Sequence, residues 1–378
     1  MNRPYDIILF GATGFTGQLI ARYLALHAAG EQIRWAVAGR NRTKLEQLEL
    51  PAEGVAPGII VADAADVESL QRMTAQTSVL MNAAGPFNWY GRQVVEACIH
   101  SKTHYLDITG EPSFVAGVYN DMFQNAQENG VCVVNCCGFD SIPADFAAWL
   151  TARQLPPDVP KSLRCFVSTN ASFSGGTLTT AIQALHMEAQ KKSLKTRLPR
   201  HPDAPRIALK IHFNRDMNAW AIPMPVVDPH IVRRSAFRLP ADYGAAVGYG
   251  QFFLRSSFWK TVQMMVPLAA MVLLVRIPAC RRWLFKKFSP GTGPDAARRT
   301  ASQFVVTCIG KAGASRAQTV ISGGDPGYDE TAKMFGQAAF CMVEQMRAGK
   351  LKSGVLTPVE ALGMLLVERL RREGLQIS

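Results

Sequence analysis

Three glycines near the start of the chain, Gly11, Gly14 and Gly17, have the spacing of a phosphate-binding turn. They follow Ile7–Phe10, a continuous apolar run typical of a strand that is buried on both faces of a parallel sheet. After the glycines, apolar residues recur at helical spacing between positions 19 and 26. A strand, a glycine turn and a helix in this order predict a pyrophosphate site. Bare backbone N–H groups and the positive helix N-terminus would both face the anion.

The spacing of these glycines is G-x-x-G-x-x-G, which differs from the G-x-G-x-x-G of many dinucleotide sites. The prediction therefore depends on the strand and the helix around the turn as much as on the glycines. We include two further turn residues, Thr13 and Phe15, in the predicted site. The alternative interpretation is a tight strand-to-helix turn that binds no ligand.

The end of the second apolar run, residues 33–38, indicates which dinucleotide binds. In a dinucleotide fold this strand end faces the adenosine ribose, and NAD sites place an acid there to accept from the 2′-hydroxyl. This chain has no acid at that point, and it offers Arg40 and Arg42 instead. Their planar guanidinium groups match a phosphate. The sequence therefore predicts NADP(H) bound through Arg40, with an ordinary surface arginine as the alternative.

Two later strand ends add residues to the predicted cofactor site. Asp63 follows the apolar run 59–62. We predict that it accepts a hydrogen bond from the adenine amino group, and the alternative interpretation is a plain turn residue. The run 79–81 ends in a loop that contains Ala84, Gly85 and Pro86. We expect this loop to lie along the nicotinamide ribose, because ligands bind at the carboxyl ends of parallel strands.

The catalytic groups are less sharply defined by pattern. None of the eight tyrosines has a lysine four residues later, which excludes the Tyr-x-x-x-Lys mechanism of short-chain dehydrogenases. A reductase needs a proton donor and a group that stabilises the substrate oxygen, although solvent can also supply the proton. Suitable side chains near the predicted crevice are Tyr90, Tyr105, Asp107, Glu111, Asp140 and Ser141. We select Tyr90, Asp107, Asp140 and Ser141 as catalytic residues, and each has an alternative interpretation as a cap or loop residue.

These residues require strands and helices that alternate through the first part of the chain. The predicted fold class is α/β, with a Rossmann-type doubly wound parallel sheet and an inserted α+β substrate domain. The NADP-binding domain is placed at residues 1–155 and is completed by a C-terminal helix at 354–378. The substrate domain is placed at 156–353, after a proline-rich linker. Apolar patterns predict a second, mostly antiparallel sheet from residues 163–167, 207–213, 304–309 and 318–321.

One segment of the predicted substrate domain is unusually apolar. Residues 261–275 carry no charge, and the residues that follow interleave cations with aromatic side chains, as Arg-Arg-Trp-Leu-Phe-Lys-Lys-Phe at 281–288. The uncharged run is shorter than the roughly 20 residues that span a bilayer. We interpret residues 261–288 as a membrane-associating segment that lies at the interface. A buried helix and a spanning helix are the alternatives.

Composition limits the class of protein. With 378 residues and 48% apolar content, the chain is long enough for two domains with full cores. Its net charge of +12 suits an anionic partner, but it has no zinc finger, RNA-binding signature or basic tail, so nucleic acid is not expected. The eight cysteines form no C-x-x-C pair and indicate core thiols in a reducing cytoplasm, with no metal site. The N-terminus enters a core strand directly, so no cleaved signal peptide is expected.

Several motifs together resemble the saccharopine dehydrogenase-like oxidoreductases, and within them the trans-acting enoyl reductase branch. The stretches that carry this resemblance are GATGFTG (11–17), AGR with KL (38–45), NAAGPFNWYG (82–91), ACIHSKTHYLDITGE (97–111), GFDSIPAD (138–145), SGGT (174–177), GGDPGY (323–328) and GVLTP (354–358). The resemblance covers most of the chain. It implies NADP(H) binding at Gly11, Gly14, Gly17 and Arg40, in a Rossmann domain with an inserted substrate domain.

The resemblance also bears on the substrate. Residues 138–143 lack the Asp-Pro-Gly turn of true saccharopine reductases, and the apolar segment at 261–288 is similar to that of lipid-associated members. We therefore predict an NADPH-dependent reductase that acts on an enoyl, acyl or other lipid-like small molecule. A saccharopine-type amino-acid dehydrogenase stays open because Arg197, Arg200, Arg206 and Arg215 offer an anion-binding cluster. A non-catalytic NADP(H)-binding scaffold associated with lipid is the third hypothesis.

The expected partners and location follow from the same features. Besides the substrate, we expect a membrane surface bound through residues 261–288, at the inner face of the membrane of a cytoplasmic protein. A homodimer is an open alternative to a monomer.

Overall fold

The structure is a computed structural model that describes residues 3–171, 198, 201–224, 226–244, 246–259, 262–263, 277 and 295–378. The chain divides into two compact units, and each is formed from two separate stretches of sequence. The first unit comprises Met1–Ile142 and Tyr328–Glu373, and the second comprises Pro143–Gly327 and Gly374–Ser378. The sequence placed the corresponding division at about residue 155 and the return to the first domain at residue 354.

The first unit is built on a seven-stranded parallel sheet with the order β13-β6-β5-β4-β1-β2-β3. Its strands are β1 (Tyr5–Phe10), β2 (Trp35–Gly39), β3 (Gly58–Val61), β4 (Thr77–Asn82), β5 (His104–Asp107), β6 (Cys132–Val134) and β13 (Gly354–Leu356). Residues Ile7–Phe10 of β1 are buried, which explains why this strand reads as a continuous apolar run. The strand order reverses between β1 and β4, and this is the crevice where doubly wound sheets bind ligands. The predicted Rossmann-type fold is confirmed.

The helices of the first unit are α1 (Phe15–His27), α2 (Arg42–Glu46), α3 (Val67–Thr74), α4 (Phe87–His100), α5 (Pro112–Glu128), α10 (Asp329–Arg347) and α11 (Pro358–Arg372). Arg369 of α11 is buried, and its guanidinium donates to Gln337 Oε1 at 2.7 Å and to Glu344 Oε2 at 2.8 Å on α10. It also pairs with Glu31, in the segment after α1. This buried cation therefore ties the late helices to the start of the chain.

The second unit contains a mixed seven-stranded sheet with the order β14-β12-β11-β7-β10-β9-β8. Its strands are β7 (Lys161–Thr169), β8 (His212–Asn214), β9 (Ala219–Pro223), β10 (Val247–Arg255), β11 (Phe304–Ala312), β12 (Ser315–Gly323) and β14 (Gln376–Ile377). Among the described strands of this sheet, only β7 and β10 pair in parallel, so the sheet is mostly antiparallel, as the sequence predicted. Its helices are α6 (Ile142–Arg153), α7 (Asp228–Arg238), α8 (Pro240–Tyr243) and α9 (Ala296–Thr300).

Two details of the second sheet differ from the prediction. Of the predicted strand at 207–213, only His212 and Phe213 are in a strand, β8, whereas β9 and β10 were not predicted. The segment around Pro205 packs directly on β10, since a Cβ atom on Gly248 would collide with the Pro205 carbonyl oxygen. The apolar residues before β8 therefore pack against the sheet and do not form a strand of it. The last residues, 376–377, pair with β12 and do not extend the C-terminal helix.

Several predictions lie outside the described residues. These are the helix start at SGGT (174–177), Arg197 and Arg200, and residues 261–288 except for 262–263 and 277. Among the helices that the structure describes, none is long and apolar enough to cross a membrane. The described cysteines, which are all except Cys280, are buried free thiols, in agreement with the prediction of core thiols.

Candidate functional site

The turn between β1 and α1 is so tight that two of its glycines are required by the fold itself. Gly11 has φ +90°, and a Cβ atom on it would lie 2.7 Å from the backbone nitrogen of Ala84. A Cβ atom on Gly17 would collide with the Gly11 carbonyl oxygen. These two positions allow β1, α1 and the loop after β4 to approach each other closely, so glycine is needed there whether or not a ligand binds.

Gly14 is different, because no contact within the part of the chain that the structure describes requires a glycine there. Its backbone has φ −73° and ψ 161°, which any residue can adopt, and a Cβ atom would meet only the Gly11 oxygen at 3.4 Å. Gly14 is exposed, it forms the N-cap of α1, and no side chain caps the helix. Open space beside uncapped backbone N–H groups fits a pyrophosphate at a helix N-terminus. The geometry therefore fits the predicted dinucleotide.

The other two turn residues have distinct surroundings. The Phe15 ring packs edge-on against Tyr328, with ring centroids 5.0 Å apart, so its side chain is part of the packing of the first unit. The Thr13 hydroxyl oxygen lies 3.9 Å from where a Cβ atom on Gly39 would stand, and it is thus next to the end of β2. Thr13 is half-buried and remains a predicted cofactor contact.

At the end of β2 the two arginines are not equivalent. Arg42 pairs with Glu46 of the same helix at 3.6 Å. Arg40 is exposed, and it forms no ion pair with any residue that the structure describes. Arg40 is therefore the guanidinium available for a ligand phosphate beside the turn.

Asp63 lies at the neighbouring strand end, because Gly39 pairs with Val61 in the parallel ladder. Its Oδ1 atom accepts from the backbone N–H of Ala65 at 3.0 Å, which closes a local turn of the Asx type. This hydrogen bond supports the interpretation of Asp63 as a turn residue. The predicted bond to an adenine amino group remains an expectation.

The loop after β4 is held from both sides. The Ala83 N–H donates to the Phe10 carbonyl at 2.8 Å, and the Ala84 N–H donates to Asn82 Oδ1 at 2.9 Å. The Gly85–Pro86 bond is cis, and α4 begins at the next residue. These contacts fix the position of the predicted residues Ala84, Gly85 and Pro86 beside the glycine turn.

Glu111 caps the start of α4, although the sequence suggested it as a proton donor. Its two carboxylate oxygens accept from the backbone N–H groups of Phe87 and Asn88, at 3.0 and 2.8 Å. The side chain is buried, which raises its pKa, while these N–H donors favour the ionised form. A carboxylate at a helix N-terminus is a stabilising cap, so Glu111 has a structural role in this loop.

A fully buried carboxylate, Asp107, lies at the end of β5. Its Oδ1 atom accepts from the backbone N–H groups of Cys136 and Thr109, at 2.9 and 3.1 Å. Its Oδ2 atom accepts from the Asn135 amide at 2.6 Å and from the Tyr105 hydroxyl at 3.0 Å. Four donors occupy the acceptor positions of a carboxylate, so Asp107 has little capacity left for a substrate.

The protonation of this network follows from its burial. Burial raises the pKa of Asp107 to about 6, although the four donors favour the ionised form. Burial and the neighbouring Asp107 hold the pKa of Tyr105 well above its usual value, so Tyr105 keeps its proton. The Tyr105 hydroxyl in turn accepts from the Asn82 amide at 3.0 Å. The ends of β4, β5 and β6 are thus joined by one set of buried hydrogen bonds.

The remaining predicted catalytic residues do not join this network through any described hydrogen bond. Tyr90 is half-buried on α4. Asp140 is exposed, and its Oδ2 atom lies 3.2 Å from where a Cβ atom on Gly110 would stand, next to the loop after β5. The buried Ser141 hydroxyl donates to the Asp140 carbonyl. Asp140 is therefore an exposed carboxylate next to the loop after β5, whereas Asp107 at the end of β5 is fully buried.

Sequence reasoning missed Asn82 and Asn135 as parts of the site. Each ends a buried strand of the parallel sheet, and polar residues directly after apolar runs are the signal that was available. Both side chains are buried, and the Asn135 Oδ1 atom has no hydrogen-bond partner among the described residues. The described residues also contain no cluster of three or more His, Cys, Asp or Glu side chains that could hold a metal ion.

Comparison with known proteins agrees with this geometry. A family model described as the saccharopine dehydrogenase NADP binding domain matches residues 7–135. A saccharopine dehydrogenase-like oxidoreductase of Bos taurus is 28% identical over 425 residues, covering 100% of this chain and 97% of that protein. A Mycobacterium tuberculosis protein, whose name proposes a trans-acting enoyl reductase, is 30% identical over 415 residues, with coverage of 100% and 97%.

A solved structure shares the fold of the whole chain. The apo saccharopine dehydrogenase (L-Glu forming) from Saccharomyces cerevisiae matches with a TM-score of 0.62 at 15% identity, covering 99% of both chains. At this identity the likeness shows the fold alone. The NADP-binding description of residues 7–135 includes the glycine turn, Arg40 and Asp107 in one matched stretch.

The glycines of the turn provide a matched pair of substitutions. Gly17→Ala should destabilise the protein by about 1–3 kcal/mol, because its methyl group collides with backbone. Gly14→Ala should stay within about 1 kcal/mol of the parent, and Gly14→Val should fold but no longer bind NADPH, because the side chain occupies the pyrophosphate space. Thermal unfolding and NADPH titration measure both effects. Normal NADPH binding by folded Gly14→Val would remove Gly14 from the site.

Arg40→Asp should weaken NADPH binding about hundredfold, corresponding to the loss of roughly 3 kcal/mol of charge-assisted hydrogen bonds to the 2′-phosphate. NADH affinity should stay the same or improve. The control is Arg42→Asp, which removes an arginine that already has a partner in Glu46. Equal affinities of the parent for NADPH and NADH would contradict the assignment.

Asp107→Asn should change how stability depends on pH. The pKa of Asp107 is raised from its ordinary 3.8 to about 6 in the folded state, so this group lowers stability as pH rises through that window. The Asp107→Asn variant does not titrate at this position, so its stability should not fall as pH rises through this window. The Asn135 Oδ1 atom, which has no described partner, can accept from the new amide group. Urea titrations at pH 3.5, 5 and 7 should show a flatter profile for the variant. Parallel profiles would show that Asp107 has no raised pKa.

Proposed function

Because the chain belongs to the saccharopine dehydrogenase-like oxidoreductase family, we propose that this NADP(H)-binding oxidoreductase reduces the carbon–carbon double bond of an acyl or lipid-like substrate. Full-length similarity to the Mycobacterium tuberculosis protein supports the enoyl class, because the name of that relative includes a reaction of this type. The substrate side of the proposal depends on the charges of the loops around the crevice.

The observation that carries the choice of substrate is the absence of cations from three loops. The loops after β4 (83–86), β5 (108–111) and β6 (135–141) include no lysine or arginine. An amino-acid substrate brings carboxylates, which proteins bind with guanidinium or ammonium groups. Loops with neutral and acidic side chains suit an uncharged acyl group better.

The proposed reaction is a simple reduction. When bound, NADPH would supply a hydride for the β-carbon, and a proton would add to the α-carbon. Gly14 and Arg40 would hold the pyrophosphate and the 2′-phosphate. The loop at 84–86, fixed by Phe10 and Asn82, would set the position of the nicotinamide ribose. Precise positioning is a large part of what such a protein contributes to the rate.

The groups around the crevice would divide between positioning and proton transfer. Asp107 and Tyr105 are buried and already hydrogen-bonded, so they would maintain the shape of the strand ends. Ser141 would hold the backbone at Asp140. Asp140 and Tyr90, which keep some exposure, are the proposed proton donors, directly or through water.

A substrate panel tests the proposal directly. The parent should oxidise NADPH when trans-2-enoyl thioesters of increasing chain length are added, and the product should gain two hydrogens by mass spectrometry. With deuterated NADPH, the deuterium should be found on the β-carbon. Folded Gly14→Val is the matched control that lacks the cofactor. Oxidation of a secondary-amine amino acid with NADP⁺ would instead support the saccharopine-type alternative, whose described arginines are Arg206 and Arg215.

Asp140→Asn and Tyr90→Phe separate the two proposed donors. The variant that removes the true donor should lower kcat about hundredfold with little change in NADPH affinity. Glu128→Gln, which removes an exposed acid on α5, serves as the control. Full activity of both variants would indicate that solvent supplies the proton.

A further inference from the structure

Four aromatic side chains form a continuous row in the second unit: Phe213, Trp220, Phe258 and Trp259. We call them the aromatic row. Successive ring centroids are 5.9 Å, 5.1 Å and 5.9 Å apart. Phe213 and Trp220 are directly opposite each other on β8 and β9, so their side chains lie on the same face of the sheet. The row begins on β8, which is an edge strand.

The aromatic row is unusually accessible to solvent. Phe213 is 46% exposed, Phe258 47% and Trp259 77%, and Trp220 is half-buried between its neighbours. Leu209 and Ile211, just before β8, are also exposed. Single exposed apolar side chains are common, but a contiguous apolar patch marks a surface that binds another apolar surface.

The charged residues close to the row in the sequence are almost all positive. Residues 206–220 and 255–259 contain four cations, Arg206, Lys210, Arg215 and Arg255, and one acid, Asp216. Asp216 is already paired with Arg316 at 3.3 Å. The guanidinium of Arg255 stands 4.8 Å from the ring centroid of Phe253. An apolar row with cationic residues close to it in the sequence is complementary to a surface that has an anionic outer layer and an apolar interior.

We propose that the aromatic row is a contact surface for an anionic lipid bilayer. Tryptophan and other aromatic rings prefer the boundary between headgroups and acyl chains, and nearby lysine and arginine attract anionic headgroups. The sequence continues the same character, because the uncharged residues 261–275 begin two positions after Trp259. This surface goes beyond the proposed reductase function and does not depend on it. A second copy of the chain is the competing occupant that the experiment must distinguish.

Vesicle sedimentation tests the proposal. The full-length parent should sediment with vesicles of phosphatidylcholine and phosphatidylglycerol, and much less with phosphatidylcholine alone. The variant Phe213→Ser/Phe258→Ser/Trp259→Ser should bind the mixed vesicles at least tenfold more weakly. Leu26→Ser/Val67→Ser/Phe237→Ser is the matched control, because it removes three exposed apolar side chains outside the row and should bind as the parent does. Salt should weaken binding only in part, since the apolar contact is not screened.

A second measurement locates the row in the bilayer without disturbing the fold. Lipids brominated near the headgroup boundary should quench tryptophan fluorescence of the bound parent. Trp259→Phe keeps an aromatic ring, so it should bind vesicles like the parent while losing much of the quenched signal. NADPH titration of every variant should give the affinity of the parent, which shows that the first unit is intact and separates this test from the reductase test.

Four results would overturn the proposal. The parent does not bind the mixed vesicles, the serine variant binds them as well as the parent, or Trp259 is not quenched in the bound state. The same follows if light scattering shows that the parent is a dimer without vesicles and the serine variant a monomer, because the row would then bind a second copy.

Discussion

The first unit depends on one buried carboxylate. Asp107 has no access to water, and a charge in that position is costly unless the chain supplies its hydrogen bonds. Four donors do so, and they come from β5, the loop after it and the end of β6. Through Tyr105 the same network reaches Asn82 at the end of β4. The carboxyl ends of three parallel strands are thereby held in register where the crevice opens.

A second constraint is the close approach of backbone in the glycine turn. It distinguishes the glycines that the fold requires from the glycine that a ligand would require. Gly11 and Gly17 are required because backbone approaches them too closely for a side chain. Gly14 has an ordinary conformation and open space, so the described residues give no structural reason for its lack of a side chain. The space beside Gly14, the uncapped start of α1 and Arg40, which forms no ion pair with a described residue, together fit NADP(H).

Features that depend on local pattern could be predicted from the sequence, and features that depend on distant contacts could not. The buried strands of the first sheet are continuous apolar runs, so the sequence predicted them correctly. The role of Arg40 follows from its interval after the turn and stays a prediction. The hydrogen bond from Asn135 to Asp107 forms only when β5 and β6 pair in the sheet. The two residues are far apart in the sequence, so this contact could not be predicted from either of them. Strand β10 was not predicted because its glycines interrupt the apolar pattern. These glycines leave room for the segment around Pro205 to pack against the strand. Glu111 is an acid near the crevice by sequence, but only the structure shows that it caps α4.

The central claim is that one NADP(H) molecule lies across the carboxyl ends of the parallel strands, over Gly14 and against Arg40. Hydrogen–deuterium exchange of the full-length protein, with and without saturating NADPH, tests this most directly. We expect slower exchange at residues 12–18, 40–44 and 83–88, and unchanged exchange in the middle of α5 and in β11 and β12. Protection that is absent from residues 12–18, or that is equal with NADH at the same concentration, would contradict it.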